Sequence, residues 1–368
     1  MVMRTATVVA LVAVFLAVAI TPFTDDSDAA GIIVTDGIGN IITLDEPVDR
    51  IITVGTGITA TVIGVGALDK ISVCDNYAYR NSDPLFDGLR VLVDEGKILA
   101  GGNIYSSGID QLKKDIIYVS DPETGDYDIK EDVIVVTGSE TYRNNIVPYL
   151  KENGFKNIMQ WSDITDYSGI IGFAKTISMV CNGKVVKSVE DMEYTTDYVK
   201  DMLEEKSPEP KDAFYVTFSA NVFKVGNKGS LANSMIIAAG GNSITTDPSQ
   251  SASTYETNLT ELVSEHPGCI AFADNSIISN QDKLKMLEAQ IGDKATIVPL
   301  QSIWNNYTLK SVEGLWTMAC ALYPDIFEGD VPTTDTDSGP GIFEYFAAGL
   351  GTVLIVVLGS YFLIWRRP

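Results

Sequence analysis

Between Asp163 and Glu205 the chain offers no run that reads as a strand, although strand patterns recur on both sides. Ile164, Ile170, Ile171, Phe173, Ala174, Ile177 and Met179 recur at helical spacing, and Asn182-Gly183 ends that helix. Lys184 to Glu205 predicts a second helix, with Val185, Val189, Met192, Val199, Met202 and Leu203 on one face and acids and lysines on the other. At 1.5 Å per residue it is about 33 Å long. Ser207-Pro208-Glu209-Pro210 stops it. A strandless helical stretch between two strand-rich halves points to two lobes joined by a long helix.

Each half alternates strands with helices. Ile32-Ile33-Val34 and Ile41-Ile42-Thr43-Leu44 flank a glycine turn and predict a hairpin. Strands are expected at Arg50–Val54, Ile71–Cys74, Val133–Val136, Asn157–Met159, Ala213–Thr217, Cys269–Phe272 and Ala295–Val298. Helices are expected at Asn144–Asn153, Ser230–Ala239 and Leu309–Leu322. The fold class is α/β with largely parallel sheets: two Rossmann-like lobes, 31–162 and 208–327, and a helical linker, 163–207.

Composition removes several functions. The net charge of −23 repels phosphate backbones and argues against nucleic acid as a partner. Cys74, Cys181, Cys269 and Cys320 form no C-x-x-C pair, and His266 is the one histidine, so a Cys/His zinc site is not expected. The cysteines read as buried thiols, with Cys269–Cys320 the one pair to consider as a disulfide. No nucleophile elbow, Walker loop or His-Glu-x-x-His motif occurs; neither catalysis nor a cofactor is expected.

Both ends read as membrane signals. Arg4, the apolar run Ala6–Ile20 and the acidic Asp25-Asp26-Ser27-Asp28 have the layout of a secretory signal over 1–30. Ala17-Val18-Ala19 and Ala29-Ala30 compete as its cleavage site, and an uncleaved anchor is the alternative. Tyr345 to Trp365 carries no charge; its 21 residues cover about 30 Å, enough to span a bilayer. A transmembrane helix is therefore expected at 342–365, with Arg366-Arg367 in the cytoplasm and the body outside. The small, acidic, proline-punctuated stretch 328–341 reads as a flexible tether.

Several motifs in order carry a resemblance. Val34-Thr35-Asp36 through Thr43-Leu44, Pro47-Val48-Asp49-Arg50-Ile51-Ile52, Gly64-Val65-Gly66-Ala67-Leu68-Asp69-Lys70-Ile71, Ala238-Ala239-Gly240-Gly241-Asn242 and Leu322-Tyr323-Pro324-Asp325-Ile326-Phe327 together resemble the iron-complex/cobalamin-type periplasmic binding proteins of ABC importers. The resemblance spans about Gly31 to Phe327, with an insertion near Tyr118–Ile129. It implies a class III periplasmic binding protein, two lobes bridged by a rigid helix. It implies a small-molecule ligand (iron-siderophore, haem or corrinoid) and, as partners, permease and ATPase subunits. It also implies that an acid on each lobe docks the permease, which by position falls on Asp110 and Glu261. A surface sensor or adhesion module reusing the fold is the alternative.

In such a fold the loops after the strands face each other across a cleft. Those loops supply Tyr77, Tyr79, Arg80, Tyr142, Arg143, Asn221, Phe223, Tyr255, Trp304 and Tyr307 as candidate ligand contacts. Flat aromatic faces suit a planar or macrocyclic ligand, and the arginines suit its carboxylates or phosphate. Trp304 and Tyr77 lead this set. Direct haem ligation would fall to His266 or a tyrosine.

Overall fold

The computed structural model describes residues 31–102, 108–119, 133–138, 140–162, 164–247 and 252–334. The expected signal at 1–30, the expected membrane helix at 342–365 and most of the expected insertion lie outside them. Among the described residues no helix is long and apolar enough to cross a membrane.

The expected hairpin forms from β1 (Ile32–Thr35) and β2 (Ile41–Leu44), paired antiparallel. Buried Asp36 ties its turn: the carboxylate accepts from Ile38 N (3.1 Å), Asn40 N (2.7 Å) and Asn40 Nδ2 (2.8 Å). Asp36 also accepts from Gln160 N at 2.9 Å, which fastens the hairpin to the first lobe.

That lobe contains β3 (Ile51–Val54), α1 (Thr56–Gly64), β4 (Ile71–Cys74), α2 (Asn76–Tyr79) and α3 (Asp87–Asp94). It continues with β5 (Leu99–Ala100), α4 (Ile109–Val119), β6 (Val133–Val136), α5 (Glu140–Glu152) and β7 (Asn157–Gln160). The sheet order is β5-β4-β3-β6-β7 and every pairing is parallel. Strand β3 is buried on both faces: Ile51 joins one apolar cluster, Ile52 and Val54 another. This is the two-sided burial that an uninterrupted β-branched run encodes.

Asp166 caps α6 (Tyr167–Asn182), accepting from Gly169 N at 2.7 Å, and left-handed Gly183 (φ 70°) ends it. The bridging helix α7 (Lys187–Lys206) starts three residues later than the periodicity predicts. Ser178 Oγ donates to Lys184 O (2.7 Å) and accepts from Val186 N (2.9 Å), which holds the intervening residues in a turn.

The second lobe opens with β8 (Asp212–Ser219), β9 (Val222–Gly226), α8 (Leu231–Ala238), β10 (Asn242–Ser243) and β11 (Thr254–Tyr255). It closes with α9 (Leu259–Glu265), β12 (Cys269–Asp274), α10 (Asn275–Ile278), α11 (Gln281–Ile291), β13 (Ala295–Leu300) and α12 (Ser311–Leu322). Its order is β11-β9-β8-β12-β13, with β10 also on β8. This sheet is mixed: β9 alone runs antiparallel to its neighbours, β8 and β11, while the other five strands share one direction. The cause is local. Ala220 (φ 52°) and Asn221 (φ 65°) both take left-handed conformations and make a two-residue hairpin turn where a binding loop is expected.

One apolar cluster runs through both lobes and both central helices; Ile51, Ile177, Val189, Val199, Phe272 and Leu315 belong to it. Helix α7 joins the amino edges of the two sheets: Ser188 Oγ bonds Gly64 O (2.9 Å) at one end, and the chain enters β8 at the other.

The four cysteines are free. Cys269 lies in the outer cluster of the second lobe, whereas Cys320 packs against the central one, so the considered disulfide does not form. The stretch read as a flexible tether begins as a docked strap. Trp316 Nε1 donates to Gly329 O (3.0 Å), Thr195 Oγ1 to Pro332 O (2.6 Å), and Val331 is buried. Thr334 N (3.0 Å) and Thr334 Oγ1 (2.7 Å) both bond Asp191 Oδ1. The reason sits on α7. Asp191 and Thr195 are polar side chains on a buried helix face, and buried polar groups require partners.

Candidate ligand cleft

The carboxyl edges of both sheets turn toward each other at a junction built by Tyr307. Its hydroxyl lies 2.6 Å from Thr137 Oγ1, just past β6 of the first lobe. Its carbonyl accepts from Thr61 Oγ1 of α1 at 3.0 Å. Its ring meets Phe173 edge-on at 6.0 Å, and Phe173 meets Trp161 at 4.7 Å. Gly57 lies under the ring; a Cβ there would be 2.4 Å from a ring carbon. Tyr167 Oη completes the contact, donating to Ser311 O at 2.8 Å.

On the first lobe, Asp75 follows β4 and caps α2, accepting from Tyr77 N (2.7 Å) and Ala78 N (2.9 Å). The cap turns the chain sharply, so Ala78 packs inward and Tyr77 is left 51% exposed. Tyr79 Oη donates to Asp94 Oδ1 at 2.8 Å, which fixes its ring. Tyr77, Tyr79 and Arg80 line a cavity of about 620 Å³ with Gly102, Gln111 and Asp115. Asp115 organises the opposite rim, accepting from Gly102 N (3.0 Å) and Gln111 Nε2 (2.7 Å). Burial pushes the Asp75 carboxyl above its ordinary value, against the backbone N–H groups that favour its charged form.

The second lobe repeats this device. Asp274 ends β12 and caps α10, accepting from Ser276 N (2.8 Å), Ser302 Oγ (3.2 Å) and Tyr215 Oη (2.9 Å). Burial, then the Asp274 charge, push the Tyr215 phenol well above its ordinary value. Lys283 Nζ lies 4.7 Å over the Phe218 ring and donates to Ser276 O at 3.1 Å.

The structure thus gathers Tyr77, Tyr79 and Arg80 in one cavity and puts Tyr307 at the junction. Other expected contacts are placed differently. Trp304 is 8% exposed and donates Nε1 to Glu313 Oε2 at 2.9 Å, so it packs into its own lobe. Phe223 is buried against Phe218 at 5.1 Å, because the hairpin makes it a strand residue. Asn221 is exposed in the hairpin turn, and Tyr255 is half-buried on the edge strand β11. Arg143 donates to Gly138 O (2.8 Å) and Trp161 O (2.9 Å), fastening two loops of its own lobe. Tyr142 lies on α5, its side chain outside the described residues. His266 Nδ1 lies 2.7 Å from Asp212 Oδ2 at the amino edge of the second sheet, away from the cleft. Asp110 and Glu261 are exposed in the first turns of α4 and α9.

Thr137, Asp75, Asp115, Asp274 and Gly57 escaped the sequence reading. Two of them carried a signal: Cys74-Asp75-Asn76 and Ala273-Asp274-Asn275 are the same strand-then-cap step, once per lobe.

No family model and no curated protein sequence matches the chain. Solved structures do. The periplasmic vitamin B12 binding protein BtuF of Vibrio cholerae aligns at 16% identity and TM-score 0.56, over 76% of this chain and 98% of that one. The nickel–histidine complex of Helicobacter pylori CeuE aligns at 16% and 0.55, over 80% and 89%. A periplasmic heme binding protein of Pseudomonas aeruginosa aligns at 13% and 0.55, over 79% and 99%. The fold is that of the class III periplasmic binding proteins.

Proposed function

We propose that the protein is the extracytoplasmic solute receptor of an ABC importer, held at the membrane by the apolar run Tyr345–Trp365. It captures an iron complex or a corrinoid between the lobes and delivers it to a permease. The observation that supports this reading is the first-lobe cavity rimmed by Tyr77, Tyr79 and Arg80, at the sheet edge where Tyr307 brings in the second lobe, on a fold shared with periplasmic binding proteins. Two tyrosines and one arginine suit a broad ligand with a flat face and a peripheral anion. Tyr307 and Tyr255 are the proposed contacts from the second lobe.

The test is a thermal-shift and native mass-spectrometry screen of the full chain in detergent against ferric siderophores, haem and cobalamins. One compound is expected to form a one-to-one complex and, at a hundred times its Kd, to stabilise the fold by about 2.7 kcal/mol. No complex with any of them would remove the reading.

Asp110 and Glu261 are the proposed docking acids, one per lobe. Charge reversal of both to lysine is expected to reduce uptake in cells at least tenfold while ligand affinity stays within twofold. Unchanged uptake would remove the docking role.

A further inference from the structure

A second cavity, of about 540 Å³, lies in the second lobe between α8 and β10. Asn242 and Ser243 of β10 pair with Asp212 and Ala213, the first residues of β8. The cavity therefore sits at the amino end of β8, whereas Asp274 and Ser302 of the cleft follow carboxyl ends of strands. The Gly240-Gly241-Asn242 step forms one wall and is tied on both sides. Tyr323 Oη donates to Gly240 O at 2.6 Å, Gly241 N to Ile236 O at 2.8 Å, and Asn242 Nδ2 to Asp212 Oδ1 at 2.6 Å. Helix α8 supplies the other wall through Ser234 and Ile237, the latter 63% exposed.

Asn233 also lines this cavity and is 2% exposed. Its Nδ2 donates to Thr245 O at 2.8 Å, which sets the orientation of the amide. Its Oδ1 has no hydrogen-bond partner among the described residues. Ser243 Oγ, on the same lining, and Thr245 Oγ1, two residues further along the chain, are buried without a partner as well. Buried polar atoms are nearly always paired, and an unpaired one costs stability. Three such oxygens in one place, on and behind the wall of a cavity, call for a partner from outside the chain.

The lining selects the chemistry of that partner. Asn233 Oδ1 needs a donor, whereas a serine or threonine hydroxyl both donates and accepts. Asn233, Ser234, Asn242, Ser243 and Thr246 are neutral, Lys228 is the one cation, and no carboxylate lines the cavity. An anion would meet an acceptor, Asn233 Oδ1, that has nothing to give it. An organic cation would meet Lys228. A ligand hydroxyl serves both roles: it accepts from Ser243 or Lys228 and donates to Asn233. Ile237 offers an aliphatic surface for the C–H face of a ring.

We propose that the second lobe carries a site for a neutral sugar of one or two rings, held through its hydroxyls by Asn233, Ser243 and Lys228 and through its apolar face by Ile237. The site is separate from the cleft and does not depend on the receptor reading above.

The test is saturation-transfer NMR on the full chain, in a detergent without a sugar headgroup, with D-glucose, N-acetyl-D-glucosamine and trehalose as probes. At least one is expected to bind with a Kd on the order of 1 mM. Ser234→Phe, which fills the cavity from α8, is expected to abolish the signal. Tyr77→Ala, in the cleft, is expected to leave the Kd within twofold. Ser243→Ala is expected to weaken the sugar at least fivefold and to raise the melting temperature of the sugar-free protein by roughly 2–4 °C, because it removes an unpaired buried hydroxyl. That opposite movement of affinity and stability separates a ligand-binding hydroxyl from a structural one. Binding of none of the probes at tens of millimolar, binding that survives Ser234→Phe, or binding lost in Tyr77→Ala would each overturn the proposal. A melting temperature lowered by Ser243→Ala would overturn it too, since the hydroxyl would then be paired through solvent.

Discussion

Gly57→Val is expected to destabilise the protein by about 3 kcal/mol and to weaken ligand retention, through a single junction between the lobes. A Cβ at this position would be 2.4 Å from one carbon of the Tyr307 ring and 2.7 Å from two more. Contacts that close force the ring or the backbone to move, and overpacking of this kind costs 1–3 kcal/mol or more. The ring cannot move freely. Its hydroxyl is tied to Thr137 on the first lobe and its carbonyl to Thr61. Displacing it therefore breaks the hydrogen bond that spans the lobes and disturbs the contact with Phe173. Urea unfolding measures the loss as a lower midpoint at unchanged slope. Gly57→Val/Tyr307→Ala is the control. Removing the ring makes room for the valine, so the double variant is expected to be less destabilised than the sum of the single variants, by at least 1 kcal/mol. Simple additivity would show that the clash is not with Tyr307.

Glu313→Gln is expected to stabilise the protein at pH 8 and to do little at pH 5. Glu313 stands in the first turn of α12, with Oε2 bonded to Trp304 Nε1 and Oε1 buried without a hydrogen-bond partner among the described residues. Burial pushes its carboxyl from the ordinary 4.5 up to about 7; Lys310 and the Trp304 bond oppose this, and Asp83 of the first lobe adds to it. Between pH 4.5 and 7 the folded chain keeps a proton that the unfolded chain has released. Stability therefore falls as pH rises through that window, and above it the full cost of a buried charge is present. The shift corresponds to roughly 3 kcal/mol at most, and partial exposure reduces this to about 2 kcal/mol. Glutamine keeps an acceptor for Trp304 and carries no charge. The difference in melting temperature between the variant and the unsubstituted protein is expected to grow from near zero at pH 5 to several degrees at pH 8. A difference independent of pH would show that Glu313 titrates normally.

The junction tested by Gly57→Val and the docking of the stretch after Phe327 both rest on contacts that no local pattern records. Thr137 and Tyr307 are 170 positions apart, and Asp191 and Thr334 are 143 apart. Trp304 and Phe223 were read as ligand contacts because aromatics after strands face a cleft in this class of fold. The structure buries both, one against Glu313 and one against Phe218. The direction an aromatic takes depends on what lies behind it, and here a hairpin turn and a buried carboxylate decided it.

The sequence by itself determined the elements and their order. Strand against helix, the strandless centre, the caps at Asp75, Asp166 and Asp274, and the stop at Gly183 are all governed by hydrogen bonds and side-chain periods within a few residues. Tertiary structure alone decided which loop residues meet, how the two lobes are locked at Tyr307, and that the stretch after Phe327 lies along α7. Those outcomes depend on burial and on partners for polar groups contributed by segments far apart in the chain. Such partners exist only once the lobes have packed.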